Sequence, residues 1–294
     1  MGSDAEERQR PERDELGAHV SSAGGVHRAP ARAEEIESAV LQLFTKQPSR
    51  WAEPEISLET QDAFRAERSR ARITTAVVHD SYLINLSSPD PALWERSLRC
   101  FTGEMNRAAV LGLDFVVSHP GNATDGDLAS GIARNADGVE CALTEAEDGP
   151  VVLLELTAGS GTSVGGTFEN LASIVARLSP QALSRVGFCF DTCHGYAGGY
   201  DLVGDYEGVF QHFNDVLGLD RLRLFHMNDS KGDLGSKRDR HEHIGRGTLG
   251  EAPFRRILRD ERFAGVPKIL ETPKDDDPVA ADLSNLNLLR SFRD

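Results

Sequence analysis

Residues that can bind a metal ion stand where an apolar run of this chain ends. The run 187–190 is followed by Asp191 and, three residues later, by His194. A buried strand fixes the backbone at such a point, and the loop after it lets a carboxylate and an imidazole turn toward one ion. An aspartate in this position can equally cap the next helix. The pair alone therefore leaves two interpretations open.

The same pattern recurs at five other apolar runs. An imidazole or a carboxylate follows each of them: His79 after 73–78, His119 after 115–118, Glu155 after 151–154, His226 after 222–225 and Glu271 after 268–270. Chemical groups at the C-terminal ends of many strands are typical of the active site of a (β/α)8 barrel. We therefore predict an α/β fold that consists of a single (β/α)8 TIM barrel.

A glycine- and charge-rich segment adds two more candidates. Asp239 and His241 stand on either side of Arg240, so both can face one ion from an extended segment, with solvated surface charge as the alternative. The complete set consists of five imidazoles and four carboxylates: His79, His119, Glu155, Asp191, His194, His226, Asp239, His241 and Glu271. These groups exceed the ligands of one tetrahedral ion and suit two or three ions that share a bridging carboxylate.

The ligand types narrow the metal and its chemistry. Nitrogen and oxygen ligands suit zinc best, with manganese or iron as alternatives. Clustered divalent ions serve phosphoester hydrolysis, because they bind phosphate oxygens, lower the pKa of a bound water and stabilise the leaving oxyanion.

Cys193 offers a thiolate as an alternative ligand, but nitrogen and oxygen donors surround it in the sequence. We expect Cys193 and the other three cysteines to be reduced thiols of an intracellular protein.

Composition bounds the class of protein. The chain has 294 residues, which fits one barrel domain, and 39% hydrophobic and 27% charged residues, as in a soluble protein. A formal net charge of −15 argues against a general basic nucleic-acid binder, so attraction of an anionic substrate would depend on the local field at the metal cleft. We find no membrane-spanning run and no secretory signal, and we predict a cytoplasmic location.

The chain divides into a short tail and one domain. Residues 1–15 are polar and charged and predict a disordered tail, while residues 16–294 form the barrel. The patterns predict strands over 16–21 and 40–45 and helices over 31–39, 58–70, 252–259 and 279–292. One apolar stripe at helical spacing predicts a core-facing helix surface through Trp94, Leu98, Phe101, Met105 and Ala108. His212 lies in a helical pattern away from any strand end and is expected to be structural or at the surface.

The loop 46–51 has two interpretations. It is basic and contains Trp51. Its residues can form a turn in which Trp51 packs back on the barrel. They can also contact DNA, with cations for the phosphates and an aromatic wedge for the bases. Loop chemistry alone favours the packed turn.

At these motifs the sequence resembles the endonuclease IV family of abasic-site DNA repair enzymes, over nearly the whole chain from residue 17 to residue 272. The matching motifs are Gly-Ala-His-Val-Ser at 17–21, His-Asp-Ser-Tyr-Leu-Ile-Asn-Leu at 79–86, His-Pro-Gly at 119–121, Asp-Thr-Cys-His at 191–194, His-Met-Asn-Asp at 226–229, Asp-Arg-His at 239–241 and Ile-Leu-Glu-Thr at 269–272. The resemblance implies a xylose-isomerase-like barrel that holds three zinc ions. It assigns the ligands as His79, His119 and Glu155 for the first ion, Glu155, Asp191, His226 and Glu271 for the second, and His194, Asp239 and His241 for the third.

The resemblance also implies an activity and a substrate. The enzyme would hydrolyse the phosphodiester 5′ to an abasic site in double-stranded DNA, leaving a 3′-hydroxyl, and would remove 3′ blocking groups. Glu155 would position the nucleophilic hydroxide as the bridging ligand, while Tyr82 and Leu83 would enter the duplex as the abasic nucleotide is flipped out. Arg50 and Lys231 are the further DNA-contact candidates. A monomer associated with the nucleoid is expected.

Some positions depart from the family pattern, and two other functions stay open. Leu156 stands where the family often has Asn, Arg246 where it often has Glu, and the intercalating arginine of the second loop matches Ser49 by count, with Arg50 one step away. A sugar isomerase or epimerase on the related barrel is the first alternative, although it does not require the third set of ligands. A relative that binds abasic DNA without cleaving it is the second.

Overall fold

Eight parallel strands close into a barrel in the computed structural model of this chain, which describes residues 15–146 and 149–293. The strands are β1 Leu16–His19, β2 Val40–Leu43, β3 Thr75–His79, β4 Phe115–Ser118, β5 Val151–Glu155, β6 Val186–Asp191, β7 Leu222–His226 and β10 Lys268–Leu270. Their order around the barrel follows the chain, and β10 closes the ring between β7 and β1. A separate antiparallel pair is formed by β8 Asp229–Ser230 and β9 His241–Glu242.

Helices connect the strands and surround the barrel. In the described ranges they are α1 Ala29–Glu35, α2 Leu58–Arg70, α3 Pro91–Leu111, α4 Leu128–Glu145, α5 Phe168–Val175, α6 Pro180–Leu183, α7 Thr192–Gly198, α8 Tyr206–Leu217, α9 Ala252–Arg259 and α10 Pro278–Ser291, with 3-10 turns at Val26–Arg28, Leu219–Arg221 and Glu261–Phe263. Several helices begin after a residue whose side chain caps the helix. Ser57 caps α2 in this way, and Asp277 caps α10. Each described helix is too short or too polar to cross a bilayer.

The core has two layers, as expected for a barrel wrapped by helices. Inside the barrel, Val77, Val117 and Leu153 are fully buried and pack against one another with residues of the remaining strands. Outside it, the predicted stripe of α3 is confirmed as core, since Phe101 and Met105 have no exposed surface. This packing leaves the carboxyl ends of the strands free to carry polar groups at one mouth of the barrel.

The structure confirms the predicted (β/α)8 barrel and corrects the bounds of three elements. The strand expected over 16–21 ends at His19. The helix expected over 31–39 begins two residues earlier at Ala29, because Pro30 suits the first turn of a helix, and it ends at Glu35. Glu37 then adopts φ 57°, a left-handed conformation that interrupts the helix. The strand expected over 40–45 ends at Leu43. The predicted disordered tail, apart from Glu15, lies outside the described residues.

Candidate metal centre

All nine predicted ligand residues meet at the C-terminal mouth of the barrel. Their side-chain donor atoms fall into three groups, in each of which the atoms lie within 4.8 Å of one another. The groups are His79, His119 and Glu155; then Glu155, Asp191, His226 and Glu271; and finally His194, Asp239 and His241. These memberships equal the ligand sets that the family resemblance implies. The role of the residues as metal ligands belongs to the proposed function.

The strand ends explain most of this convergence. His79, Glu155, Asp191 and His226 are the last residues of β3, β5, β6 and β7. Asp191 pairs directly with His226 in the register of β6 and β7. The long loop after β7 returns to the mouth through the antiparallel pair, in which His241 of β9 lies opposite Ser230 of β8. A local hairpin therefore brings in a ligand candidate that no barrel strand could supply.

Glu155 is the centre of the cluster. Its carboxylate is fully buried and has an imidazole on every side. Oε2 lies 3.1 Å from His119 Nε2 and 3.4 Å from His79 Nε2, and Oε1 lies 3.1 Å from both His194 Nδ1 and His226 Nδ1. Oε2 thus faces the two imidazoles of the first group, and Oε1 faces His226 of the second group and His194 of the third. This is the arrangement that a bridging ligand requires.

Asp191 caps a helix with one oxygen and turns the other toward the cluster, so its geometry is compatible with both interpretations that the sequence left open. Its Oδ1 accepts a hydrogen bond of 2.8 Å from His194 N and so caps α7. Its Oδ2 faces the cluster, 3.5 Å from His241 Nε2, and accepts a hydrogen bond of 2.7 Å from Asn228 Nδ2. One oxygen therefore fixes the backbone, and the other is oriented toward the candidate ion.

Burial and mutual charge set the protonation of the cluster. Burial favours the neutral acid at Glu155, but the charges of His226 and His119 outweigh it and hold the pKa of Glu155 well below its usual range. Burial likewise lowers the pKa of His79, yet the nearby carboxylates of Glu155 and Glu271 raise that pKa to about 10. His79 and Glu155 thus keep each other charged, and divalent cations can replace imidazole protons.

The hydrogen-bonding state of the cluster fits a divalent cation. Seven buried side-chain atoms form no hydrogen bond within the described ranges, and three of them, Glu155 Oε2, His194 Nε2 and His241 Nε2, lie in the cluster. Buried polar atoms in folded proteins almost always have a partner. All three atoms belong to the candidate ligand groups. Their unsatisfied lone pairs and their donor types suit zinc or a similar ion.

The four DNA-contact candidates lie in loops beside this mouth. The Tyr82 side chain is 69% exposed, and its ring lies 5.2 Å from the Phe44 ring and 6.2 Å from the His79 ring. Leu83 is partly buried and Arg50 is exposed. Lys231 is exposed, but its Nζ lies 3.8 Å from Glu242 Oε2. An exposed aromatic next to the candidate metal centre is the feature that a duplex wedge needs.

The loop 46–53 is fixed by hydrogen bonds from a buried lysine at its start. Lys46 is buried, and its Nζ donates hydrogen bonds to Arg50 O at 2.9 Å and to Glu53 Oε1 at 2.5 Å. The Arg96 guanidinium covers the Trp51 ring at 4.4 Å, and Trp51 packs on the core. The packed-turn interpretation is therefore confirmed for Trp51. Lys46 is a structural cation whose ammonium group is bound within the loop.

The remaining sequence expectations concern thiols and one histidine. The four cysteines are all free. Sγ of Cys193 lies within 4.8 Å of donor atoms of Asp191 and His241, but burial raises the pKa of the Cys193 thiol to about 12, so the thiol stays protonated. His212 is exposed and its Nε2 lies 2.7 Å from Glu169 Oε1, as a surface histidine should.

Two residues that depart from the family pattern, Leu156 and Arg246, contribute no side-chain donor atom to the candidate ligand groups. Leu156 is buried, and its main-chain carbonyl, which any residue would supply, lies 3.1 Å from His194 Nδ1. Arg246 is exposed in the loop before α9. Neither residue is a member of the three donor groups.

Sequence reasoning missed three polar residues that contact the candidate ligands. Gln42 is a polar residue inside the apolar run of β2, and it contacts His226 and Glu271. Asn228 donates to Asp191 and accepts from Glu271 N. His19 Nδ1 lies 3.7 Å from Glu271 Oε1. The signals were present, since Gln42 interrupts an apolar strand and the other two stand in the matching motifs.

Fold and site together define the class of the protein. Residues 30–292 match the family model described as xylose isomerase-like TIM barrel. The chain is 46% identical over 280 residues to a probable endonuclease 4 of Geobacter sulfurreducens, with 94% of each chain covered. It is 44% identical to a protein of the same name in Chloroflexus aggregans, with 94% of this chain and 97% of the relative covered. The chain belongs to the endonuclease IV family.

Solved structures agree with this assignment. Endonuclease IV from Thermus thermophilus is 37% identical and superimposes with a TM-score of 0.84 over 94% of this chain and 98% of that one. A D-tagatose 3-epimerase-like protein is 18% identical with a TM-score of 0.70, over 94% of this chain and 96% of that one. The second similarity concerns the fold alone.

Proposed function

We propose that this protein is an abasic-site endonuclease of base excision repair that uses three divalent ions, zinc by preference. It would hydrolyse the DNA phosphodiester 5′ to an abasic site, leave a 3′-hydroxyl and remove 3′ blocking groups. Residues 16–294 would act as one catalytic domain. Membership of the endonuclease IV family supports the substrate class. The relatives are named probable endonuclease 4, and this chain matches nearly their whole length.

The observation that carries the proposal is the position of Glu155 between two donor groups. Its carboxylate lies among four imidazoles and belongs both to the group of His79 and His119 and to the group of Asp191, His226 and Glu271. A carboxylate shared in this way supports two neighbouring ions. The third group, of His194, Asp239 and His241, adds a site that a sugar isomerase does not require.

The chain's own groups would prepare the chemistry. Bound divalent ions would supply the charge that holds the phosphate oxygens, lowers the pKa of a water and stabilises the leaving oxyanion. Glu155, buried and without a competing hydrogen bond at Oε2, would hold two ions at a fixed separation. The imidazoles would leave their cluster-facing nitrogens unprotonated once the ions are bound, so proton release accompanies metal binding.

Substrate selection would come from the loops around the mouth. Tyr82 would enter the duplex with Leu83 and fill the gap left by the extruded abasic nucleotide, which has no base to unstack. Arg50 and Lys231 would contact phosphates, because both are exposed beside the cluster. The negative net charge makes such local cations, together with the bound ions, the source of attraction for DNA.

A single experiment tests the proposal. A labelled duplex with one abasic analogue is incubated with the protein before and after treatment with a strong chelator, and the metal content is measured in parallel. We expect cleavage on the 5′ side, about three ions per chain, and loss of cleavage on chelation. Three ions without cleavage would instead favour a binding-only relative, and one ion with aldose–ketose turnover would favour the isomerase. The monomeric state and the nucleoid-associated cytoplasmic location stay predictions.

A further inference from the structure

The imidazoles of the cluster are oriented by two kinds of partner. His79 Nδ1 lies 3.0 Å from Asp80 O, His194 Nδ1 lies 3.1 Å from Leu156 O, and His241 Nδ1 lies 3.1 Å from Glu271 O. Each of these three rings can donate its Nδ1–H to a main-chain carbonyl, which leaves Nε2 facing carboxylates of the cluster. His194 Nδ1 also lies 3.1 Å from Glu155 Oε1. A carbonyl partner of this kind fixes the tautomer and the orientation of a metal-binding histidine.

His226 has the opposite ring orientation, and its second nitrogen is bound by a side chain instead of a main-chain carbonyl. Its Nδ1 faces the carboxylates, 3.1 Å from Glu155 Oε1 and 3.3 Å from Glu271 Oε2. Its Nε2 lies 2.8 Å from Gln42 Oε1. The orientation of the Gln42 amide is fixed independently, because its Nε2 donates a hydrogen bond of 2.5 Å to Glu271 Oε1, and a carboxylate can only accept. Oε1 must then accept, so His226 carries a proton on Nε2, and Nδ1 is the nitrogen left to bind an ion.

Gln42 is built into the barrel wall at this point. Its side chain is fully buried at the C-terminal end of β2. Its second amide hydrogen is directed at His19 Nδ1, 3.0 Å away. In the part of the chain that the structure describes, its side-chain hydrogen bonds therefore go to His226, Glu271 and His19. Two of these are members of a single candidate ion group, the one that also contains Glu155 and Asp191.

We propose that Gln42 is a positioning residue for that ion group: it fixes the tautomer of His226, orients Glu271 and so sets the affinity of one ion. The inference rests on the proposed metal cluster. Partners of metal ligands change metal affinity by roughly 10- to 100-fold when they are removed. Loss of the amide should affect the Glu155–Asp191–His226–Glu271 group and leave the His194–Asp239–His241 group unchanged.

The test compares Gln42→Met, which has similar volume but no hydrogen-bonding amide, with the wild type and with Ser38→Ala. Ser38 precedes the same strand at the opposite end of the barrel, is buried, and donates to Leu16 O at 3.0 Å. It therefore reports the loss of a buried hydrogen bond away from the cluster. Gln42→Leu serves as a second variant if Gln42→Met does not fold. Zinc is titrated against a competing chelator, and melting temperature is recorded with and without zinc.

We expect Gln42→Met to bind one zinc ion more weakly than the wild type, with a dissociation constant about 10- to 100-fold higher. Zinc should also raise its melting temperature less than that of the wild type, so the difference in melting temperature between the two proteins should be larger with zinc than without it. Ser38→Ala should bind zinc as the wild type does. A zinc titration of the folded Gln42 variants that superimposes on the wild type would overturn the inference. So would an equal fall of melting temperature with and without zinc, which indicates a purely structural role.

Incision of an abasic duplex is measured on the same samples as a separate arm. If the wild type binds zinc and does not incise, the proposed function fails while the zinc titrations still decide the role of Gln42. If the wild type incises and Gln42→Met binds zinc normally, only the inference about Gln42 fails. Recovery of incision by Gln42→Met at saturating zinc is the expected result, because the residue acts on the ion's affinity.

Discussion

Replacing Glu155 by glutamine is the most direct perturbation of the cluster. The substitution keeps the shape of a fully buried side chain and removes its charge. It also replaces one carboxylate oxygen with an NH2 group, which would point hydrogens at imidazole nitrogens only 3.1–3.4 Å away. Both ion groups that share Glu155 lose their common anionic ligand. We therefore expect the metal content to fall from about three ions to about one, held by the remaining His194–Asp239–His241 group.

The size of the effect follows from the burial of the carboxylate. Removing one member of a buried, fully paired charge cluster costs about 3–5 kcal/mol. If that interaction is lost from the transition state, at 1.36 kcal/mol for each factor of ten, incision should slow by between about 10² and 10⁴-fold. The measurement is single-turnover incision of an abasic duplex at saturating enzyme, with zinc content determined on the same preparation and circular dichroism to confirm the fold.

Glu104→Gln is the matched control. Glu104 is also a buried glutamate in an ion pair, with Arg107 Nη2 at 3.1 Å, but it lies outside the three donor groups. The Glu104→Gln variant should unfold at a lower temperature than the wild type and should bind the same number of zinc ions as the wild type. Incision by Glu155→Gln within tenfold of the wild type, at a rate that does not depend on added metal, would refute the bridging role.

Three further perturbations separate metal, wedge and loop. Exhaustive chelation should lower the melting temperature by about 4–5 °C for each ion removed, because an ion at 100 times its Kd contributes about 2.7 kcal/mol and the unfolding entropy of a chain of this length is about 0.6 kcal/mol/K. Added zinc should restore the melting temperature. Tyr82→Ala should reduce the preference for abasic over intact duplex by about 5- to 150-fold in competition binding, the equivalent of about 1–3 kcal/mol, and an unchanged preference would contradict the wedge role. Arg50→Ala should lower the salt slope of DNA binding by about one, whereas Lys46→Met should leave that slope unchanged and lower thermal stability. Equal slopes for Arg50→Ala and wild type would contradict the phosphate contact.

The sequence predicts which side chains converge at the mouth because a geometric rule connects them. A parallel barrel brings the carboxyl ends of its strands to one mouth, so His79, Glu155 and His226 could be grouped without any knowledge of side-chain conformation. Asp239 and His241 were harder, because their loop reaches the mouth only through a two-residue hairpin with Asp229–Ser230. The family resemblance supplied the third group where the spacing rule was ambiguous.

What the sequence could not supply are interactions decided by side-chain packing. Lys46 has the pattern of a surface cation in a basic loop, but the chain folds over it and uses its ammonium to hold Arg50 O and Glu53. Asp191 was ambiguous between cap and ligand because one carboxylate has two oxygens and the structure uses them differently. Gln42 looked like a flaw in an apolar strand until its partners across the barrel were known.

The two kinds of histidine partner make the cluster unequally sensitive to substitution. A main-chain carbonyl is present whatever the residue, so Leu156 can replace the family's frequent Asn and still offer its oxygen to His194 Nδ1 at 3.1 Å. The orientation of His226 depends instead on the identity of one side chain, at 2.8 Å. Substitutions at position 156 should therefore leave the third ion group intact, while substitutions at position 42 should weaken the second. The departure at Leu156 is compatible with a complete metal centre for this reason, and Gln42 is the residue at which a single substitution would uncouple one ion from the other two.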